Sequence, residues 1–143
     1  MSRMLVLPLL AMVLAAAPAS AESEPTPVQV AEIHVCRDVD RETRAPLGVG
    51  DAFPQDVERL YCFTRLTGAA DTTQVTHLWL HEDQIRSRVP LAVRSPDWRT
   101  WSSKSILPRW SGEWEVRVLD RDGLVLGAST FRIEDAPTPE EAP

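Results

Sequence analysis

Residues 113–133, EWEVRVLDRDGLVLGASTFRI, decide the fold class. Apolar and polar residues alternate strictly at the start of this stretch. Trp114, Val116 and Val118 fall on one parity, and Glu113, Glu115 and Arg117 on the other. A strand turns successive side chains to opposite faces, so the pattern predicts one buried and one solvated face. Residues 120–123, DRDG, supply a turn with an Asp-Gly pair of the kind tight hairpins favour. Residues 124–133 return as the partner strand, with Val125, Phe131 and Ile133 on one parity.

The same reading extends outward to 28–36, 57–66, 73–81, 85–93 and 98–105, each rich in β-branched, aromatic or alternating residues and bounded by turn signals. Pro90 marks the 85–93 strand as an edge or a bulge. Seven short strands at regular spacing predict an all-β domain, an antiparallel immunoglobulin-like β-sandwich of about seven strands. A small barrel is the other architecture the pattern allows. The segment 38–56 carries Pro46, Gly48, Gly50 and Pro54 and is long for a plain connection. Loops of that length are often functional or locally structured.

The first 21 residues have the form of a secretory leader. Arg3 is followed by an apolar run from Leu5 to Ala17 and by Ala19-Ser20-Ala21, which fits cleavage after Ala21 and export to the periplasm. The run falls short of the roughly 20 residues a membrane span needs, so no integral membrane segment is expected in the mature chain. Residues 22–27 and 134–143 are acidic, proline-rich and aperiodic, and read as disordered tails around a single domain at 28–133. Loss of the leader removes one arginine and no acid, leaving 14 basic against 21 acidic side chains. Six of those acids sit in the tails, so the domain is nearly neutral and nucleic acid is not an expected partner.

Cys36 and Cys62 are an even pair in an exported chain, which makes a disulfide the expected staple for a small core. Two buried free thiols are the alternative. Without a C-x-x-C arrangement, thiol redox catalysis is not expected.

Four of the five tryptophans lie in 98–114, WRTWSSKSILPRWSGEW. If 94–97 closes a hairpin between 85–93 and 98–105, one face carries Ile85, Val89, Leu91, Val93 and Trp98. The opposite face then carries Arg86, Arg88, Arg94, Arg99, Trp101, Ser103 and Ser105. Arginines, an indole and hydroxyls on one face suit an anionic or sugar-like ligand, through charge-assisted bonds and stacking. Arg86, Arg88, Arg99, Trp101 and Ser103 are therefore the candidate binding residues. The competing reading is a solvated face whose arginine stems cover Trp101. Trp98 and Trp114 read as core, and Trp110, between Pro108 and Gly112, as a plug at the end of the sandwich.

Catalytic and metal chemistry find little support. His77 and His81 are about 13 Å apart at strand rise and cannot share an ion, while His34 and Cys36 would need further ligands. His77 beside Trp79 reads as a polar residue at the sheet surface or against a loop. No nucleophile-elbow, zinc-protease or phosphate-loop motif occurs, and no metal site or cofactor is expected. Ser102 and Lys104 share a strand face but lack an oxyanion motif, so a hydrolase is the weakest alternative.

The ordered segments LYCFTRLTG (60–68), VTHLW (75–79), VRSPDWRTWSSKSILPRWSGEWEVRVLD (93–120) and GLVLGASTFRI (123–133), with Cys36, Arg44-x-Pro46 and Phe53 before them, resemble the bacterial domain-of-unknown-function family 2914. The resemblance runs from about Ala31 to Ile133, and Cys62 falls where the family pattern also carries a cysteine. It implies an exported or membrane-associated bacterial β-domain without an established activity, and it supplies no catalytic residues. Together these readings predict a non-catalytic periplasmic binding or adaptor domain for a cell-envelope protein, or alternatively a module for an envelope glycan or anionic polysaccharide.

Overall fold

The computed structural model of the chain describes residues 27–136; the expected leader and most of both tails lie outside the described residues. Ten strands and no helix make up the described residues. They are β1 (Gln29–Cys36), β2 (Asp38–Val39), β3 (Pro46–Leu47), β4 (Ala52–Pro54), β5 (Arg59–Thr67), β6 (Thr73–His81), β7 (Gln84–Val93), β8 (Asp97–Ser105), β9 (Gly112–Leu119) and β10 (Val125–Glu134). The seven long strands correspond to the seven expected segments. The three short ones all come from the 38–56 stretch, which is locally structured.

Two sheets pack face to face, in the orders β1-β5-β8 and β4-β10-β9-β6-β7, and β2 and β3 form a small ribbon. Every pairing is antiparallel except that of β4 with β10. The alternation in β9 has the predicted result: Trp114, Val116 and Val118 are buried between the sheets. Trp114 and Val116 meet Trp79, Phe131 and Ile133 of their own sheet and Val35, Leu60 and Cys62 of the other. A second cluster, built on Leu66, Val75, Val93 and Val118, fills the opposite half of the core. Burying a side chain of this size stabilises the fold by about 1.5–3 kcal/mol.

Two local departures from simple parity arise from bulges. In β10 the register slips between Val125 and Gly127, so Val125 is exposed while Phe131 and Ile133 are buried. Strict alternation had grouped all three. In β7, Ser87 pairs with Trp79 and Ile85 with Leu80, which leaves Arg86 as the inserted residue. A bulge of this kind re-aims a side chain.

The expected 85–105 hairpin does not form. Val93 of β7 pairs with Thr73 of β6, and Trp98 of β8 pairs with Leu66 of β5, so the 94–96 turn carries the chain from one sheet to the other. Alternation fixes which face of a strand is apolar, but not which neighbour it pairs with. Crossing over turns both apolar stripes toward a common interior.

The expected disulfide is also corrected. Val35 stands opposite Cys62, and Cys36 stands opposite Tyr61. Directly paired residues share a face, so Cys36 and Cys62 point to opposite sides of the sheet. Both are buried free thiols. Cys62 lies in the core between the sheets, and Cys36 lies with Val39 and Phe63 beneath the β2–β3 ribbon. Desolvation pushes the Cys36 thiol up to about 11 and raises that of Cys62 as well. Neither thiol is poised for thiolate chemistry.

Candidate functional site

Polar chemistry concentrates in two places. The first is at the centre of the sandwich, where inward positions of both sheets carry Thr64, His77 and Ser102. His77 is fully buried, which corrects its expected place at the sheet surface. Its Nδ1 lies 2.7 Å from Ser102 Oγ and its Nε2 lies 3.2 Å from Thr64 Oγ1. Trp79 Nε1, which can only donate, gives a hydrogen bond to Ser102 Oγ at 3.1 Å. At the far end, the Thr64 hydroxyl donates to the Thr100 carbonyl at 3.1 Å.

These two ends set every proton between them. Thr64 Oγ1 has spent its proton on Thr100 and must accept from His77 Nε2–H. His77 Nδ1 then accepts from the Ser102 hydroxyl, which in turn accepts from Trp79. The imidazole is neutral, because burial pulls its pKa down from 6.5 to about 4. A serine beside a histidine has the atoms of a nucleophile–base pair. Here, however, Ser102 is only 4% exposed and faces the opposite sheet. The chain ties the two sheets together and leaves none of its members open to a substrate.

The second place is the end of the sandwich, where residues 106–111 link β8 to β9. Trp110 N–H donates to Leu107 O at 2.9 Å, and Trp110 O accepts from Trp114 Nε1 at 2.9 Å. The half-buried Trp110 ring stands edge-on to Trp114 at 5.9 Å, so it does plug the end of the core. Beside it, His81 stacks on Trp114 at 4.8 Å and its Nε2 donates to Ser111 O at 2.8 Å. The buried His81 Nδ1 has no hydrogen-bond partner among the described residues.

Three cations converge on the Trp110 ring. The Arg86 and Arg109 guanidinium carbons lie 5.1 and 5.8 Å from its centroid, and Lys104 Nζ lies 5.1 Å away. Each arrives by a different route. Arg86 is the bulge residue of β7. Lys104, opposite Leu60, continues the inward parity of Trp98, Thr100 and Ser102 to the point where β8 leaves the core. Arg109 is the chain neighbour of Trp110. Among the described residues, the ion pairs are Arg65–Asp97, Arg117–Glu115 and Arg132–Glu113, and none involves these three cations.

The five residues predicted as one binding face are dispersed. Arg86 is at the Trp110 end. Arg88 lies on the outer face of the five-stranded sheet, opposite Leu78. Arg99, Trp101 and Ser103 lie on the outer face of the three-stranded sheet. There Trp101 packs with Phe63 and Val39 under the ribbon, and Arg41 lies 5.4 Å from its centroid. Arg99 donates to Thr43 O at 3.3 Å, and Ser103 Oγ accepts from Arg59 at 2.8 Å. Lys104 and Arg109 were not singled out as binding residues. The signal for Lys104 was its parity with Trp98 and Ser102, whereas nothing sequential links it to Arg86.

Residues 72–133 match the family described as "Protein of unknown function (DUF2914)", which bears out the resemblance over the segment from β6 to β10. No curated protein matches the sequence. Among solved structures, a β-glucosidase from Kluyveromyces marxianus is similar at a TM-score of 0.40 and 10% identity, over 77% of this chain and 15% of that one. An endonuclease/exonuclease/phosphatase from Beutenbergia cavernae is similar at a TM-score of 0.34 and 18% identity, over 74% of this chain and 35% of that one. The chain thus spans a small part of either enzyme.

Proposed function

We propose that this chain, matching the DUF2914 family over residues 72–133, is a non-catalytic binding module of the bacterial cell envelope, acting after export. The observation that carries this reading is the contrast in accessibility between the two polar clusters. The serine–histidine pair is closed inside the core, while three cations that join no ion pair among the described residues are gathered on a half-buried indole at one end of the domain. Like charges gathered around one ring, with no ion pair among the described residues, favour an anionic partner. That supports the envelope polyanion among the expected ligands over a neutral glycan. A neutral sugar would need an open indole face, and Trp101 offers little because the ribbon and Arg41 cover it.

Retention of purified protein on envelope fractions of the native host tests the reading. Binding that is lost when Arg86, Lys104 and Arg109 are all replaced by Gln, together with silence toward serine- and lysine-reactive probes, is the expected result. Covalent labelling of Ser103 or Lys104 with turnover of an ester would overturn it.

A further inference from the structure

The ligand chemistry of that end can be narrowed further, on the reading that it is the contact surface. We propose that Arg86, Lys104 and Arg109, arrayed around Trp110, form a binding site for a phosphate-type oxyanion.

Three features of the molecule support this. The first is convergence. Charges from β7, from β8 and from the 106–111 link all lie within 6 Å of one ring centroid. Side chains as long as arginine and lysine would spread apart in water unless something held them together. The indole face does so, through cation–π attraction to each of the three.

The second feature is the lack of internal neutralisation. None of the three donates a side-chain hydrogen bond or joins an ion pair among the described residues. Arg59 bonds Ser103 and Ser105, Arg65 bonds Asp97, and Arg117 bonds Glu115, whereas other unbonded arginines such as Arg37, Arg41 and Arg44 each lie alone on a ring. The three cations at Trp110 keep their donors free.

The third feature is the bulge. A regular β7 would place Arg86 on the same face as Arg88, over the outer side of the sheet. The extra residue at this point sends Arg86 to the Trp110 end instead. Bulges serve to re-aim individual side chains, and this one adds a third charge to the cluster.

The donor set selects the ligand. Two guanidinium forks and an ammonium offer more N–H groups, from more directions, than a single carboxylate can accept. A tetrahedral phosphate presents several oxygens, matches the guanidinium fork bidentately and carries the larger charge. The group can come free in solution or from a phosphate-bearing lipid headgroup, and the two arms of the test separate these sources.

In the first arm, calorimetry follows inorganic pyrophosphate binding to the full-length mature protein. In the second, co-sedimentation follows binding to phosphatidylglycerol vesicles, with phosphatidylcholine vesicles as the comparison. Pyrophosphate binding that weakens with added salt, and that falls at least about tenfold in the Arg86→Gln/Lys104→Gln/Arg109→Gln variant, supports a soluble phosphate. The same loss on phosphatidylglycerol vesicles alone supports a headgroup. If the triple variant does not fold, Arg86→Gln alone, at an exposed position, should still weaken binding about threefold.

No binding in either arm overturns the phosphate assignment, as does binding that the triple variant leaves unchanged. Should envelope retention nevertheless depend on the three cations, the binding-module reading stands and only the ligand class falls.

Discussion

His77 and Trp110 are each surrounded by polar or charged neighbours, yet the two neighbourhoods obey opposite rules. Around His77 every donor meets an acceptor and every proton has one position, from Trp79 through Ser102, His77 and Thr64 to the Thr100 carbonyl. Around Trp110 three cations share a ring, and among the described residues none of them joins an ion pair. A buried polar group left unpaired costs stability, so the interior cluster must be complete. An exposed cluster pays no such penalty, because water solvates it until a ligand arrives. Residue type alone would have pointed to the serine and histidine as the chemical centre. Completeness of bonding points to the other end.

The largest expected effect comes from opening the closed cluster. Ser102→Ala leaves His77 Nδ1 and Trp79 Nε1 unpaired between the sheets. It should cost about 3 kcal/mol in urea unfolding, at about 1–3 kcal/mol for each orphaned group. A cost below about 1 kcal/mol would mean that the chain does not tie the sheets together.

Acid should act on the same cluster with nearly the same size. His77 has a folded pKa near 4 against 6.5 when unfolded, so between these values the unfolded state binds the extra proton. The stability contributed is complete above pH 6.5 and declines as pH falls toward 4, by about 3 kcal/mol. Urea midpoints at pH 7 and pH 4.5 read this directly. A flat profile would show that the imidazole is not held neutral.

Smaller effects belong to the open end. The β6–β7 turn places both Glu82 and Asp83 at positive φ, 49° and 63°, and Glu82 Oε1 accepts the Glu113 N–H at 3.0 Å. Asp83 has no such bond among the described residues, so Asp83→Gly should stabilise the fold by up to about 1 kcal/mol by removing left-handed strain. Replacing all three cations around Trp110 by Gln should move stability by no more than about 1 kcal/mol, because mutual repulsion of the three like charges offsets much of their cation–π attraction to the ring. A loss of 2 kcal/mol or more would recast them as structural cover for Trp110.

The fold was largely legible because alternation is a local property. Trp114, Val116 and Val118 are buried as their parity required, and the seven long strands begin and end close to the turn signals. What sequence could not show depends on which strand lies beside which. Strands β7 and β8 look like a hairpin because a turn joins them, but they pair in different sheets. That single fact dispersed the five predicted binding residues, while the β1–β5 register, equally hidden in sequence, turned Cys36 and Cys62 to opposite faces of one sheet. The bulge at Arg86 was equally hidden, since an inserted residue leaves the composition unchanged and reverses the side chain. His77 was misplaced for a related reason. A histidine reads as solvated until the partners that satisfy it, here Thr64 and Ser102 from the opposite sheet, are known.

If the open cluster binds and the closed one does not, a phosphate ligand should perturb one and leave the other unchanged. A two-dimensional 1H–15N titration of the labelled protein with pyrophosphate tests it in one experiment, because indole, guanidinium and backbone N–H signals are read together. Shifts should be confined to the Trp110 indole, to Arg86 and Arg109 Nε, and to the backbone near Lys104, with the Trp79 indole still. Shifts at Trp79 and Trp101 with a silent Trp110 would contradict it.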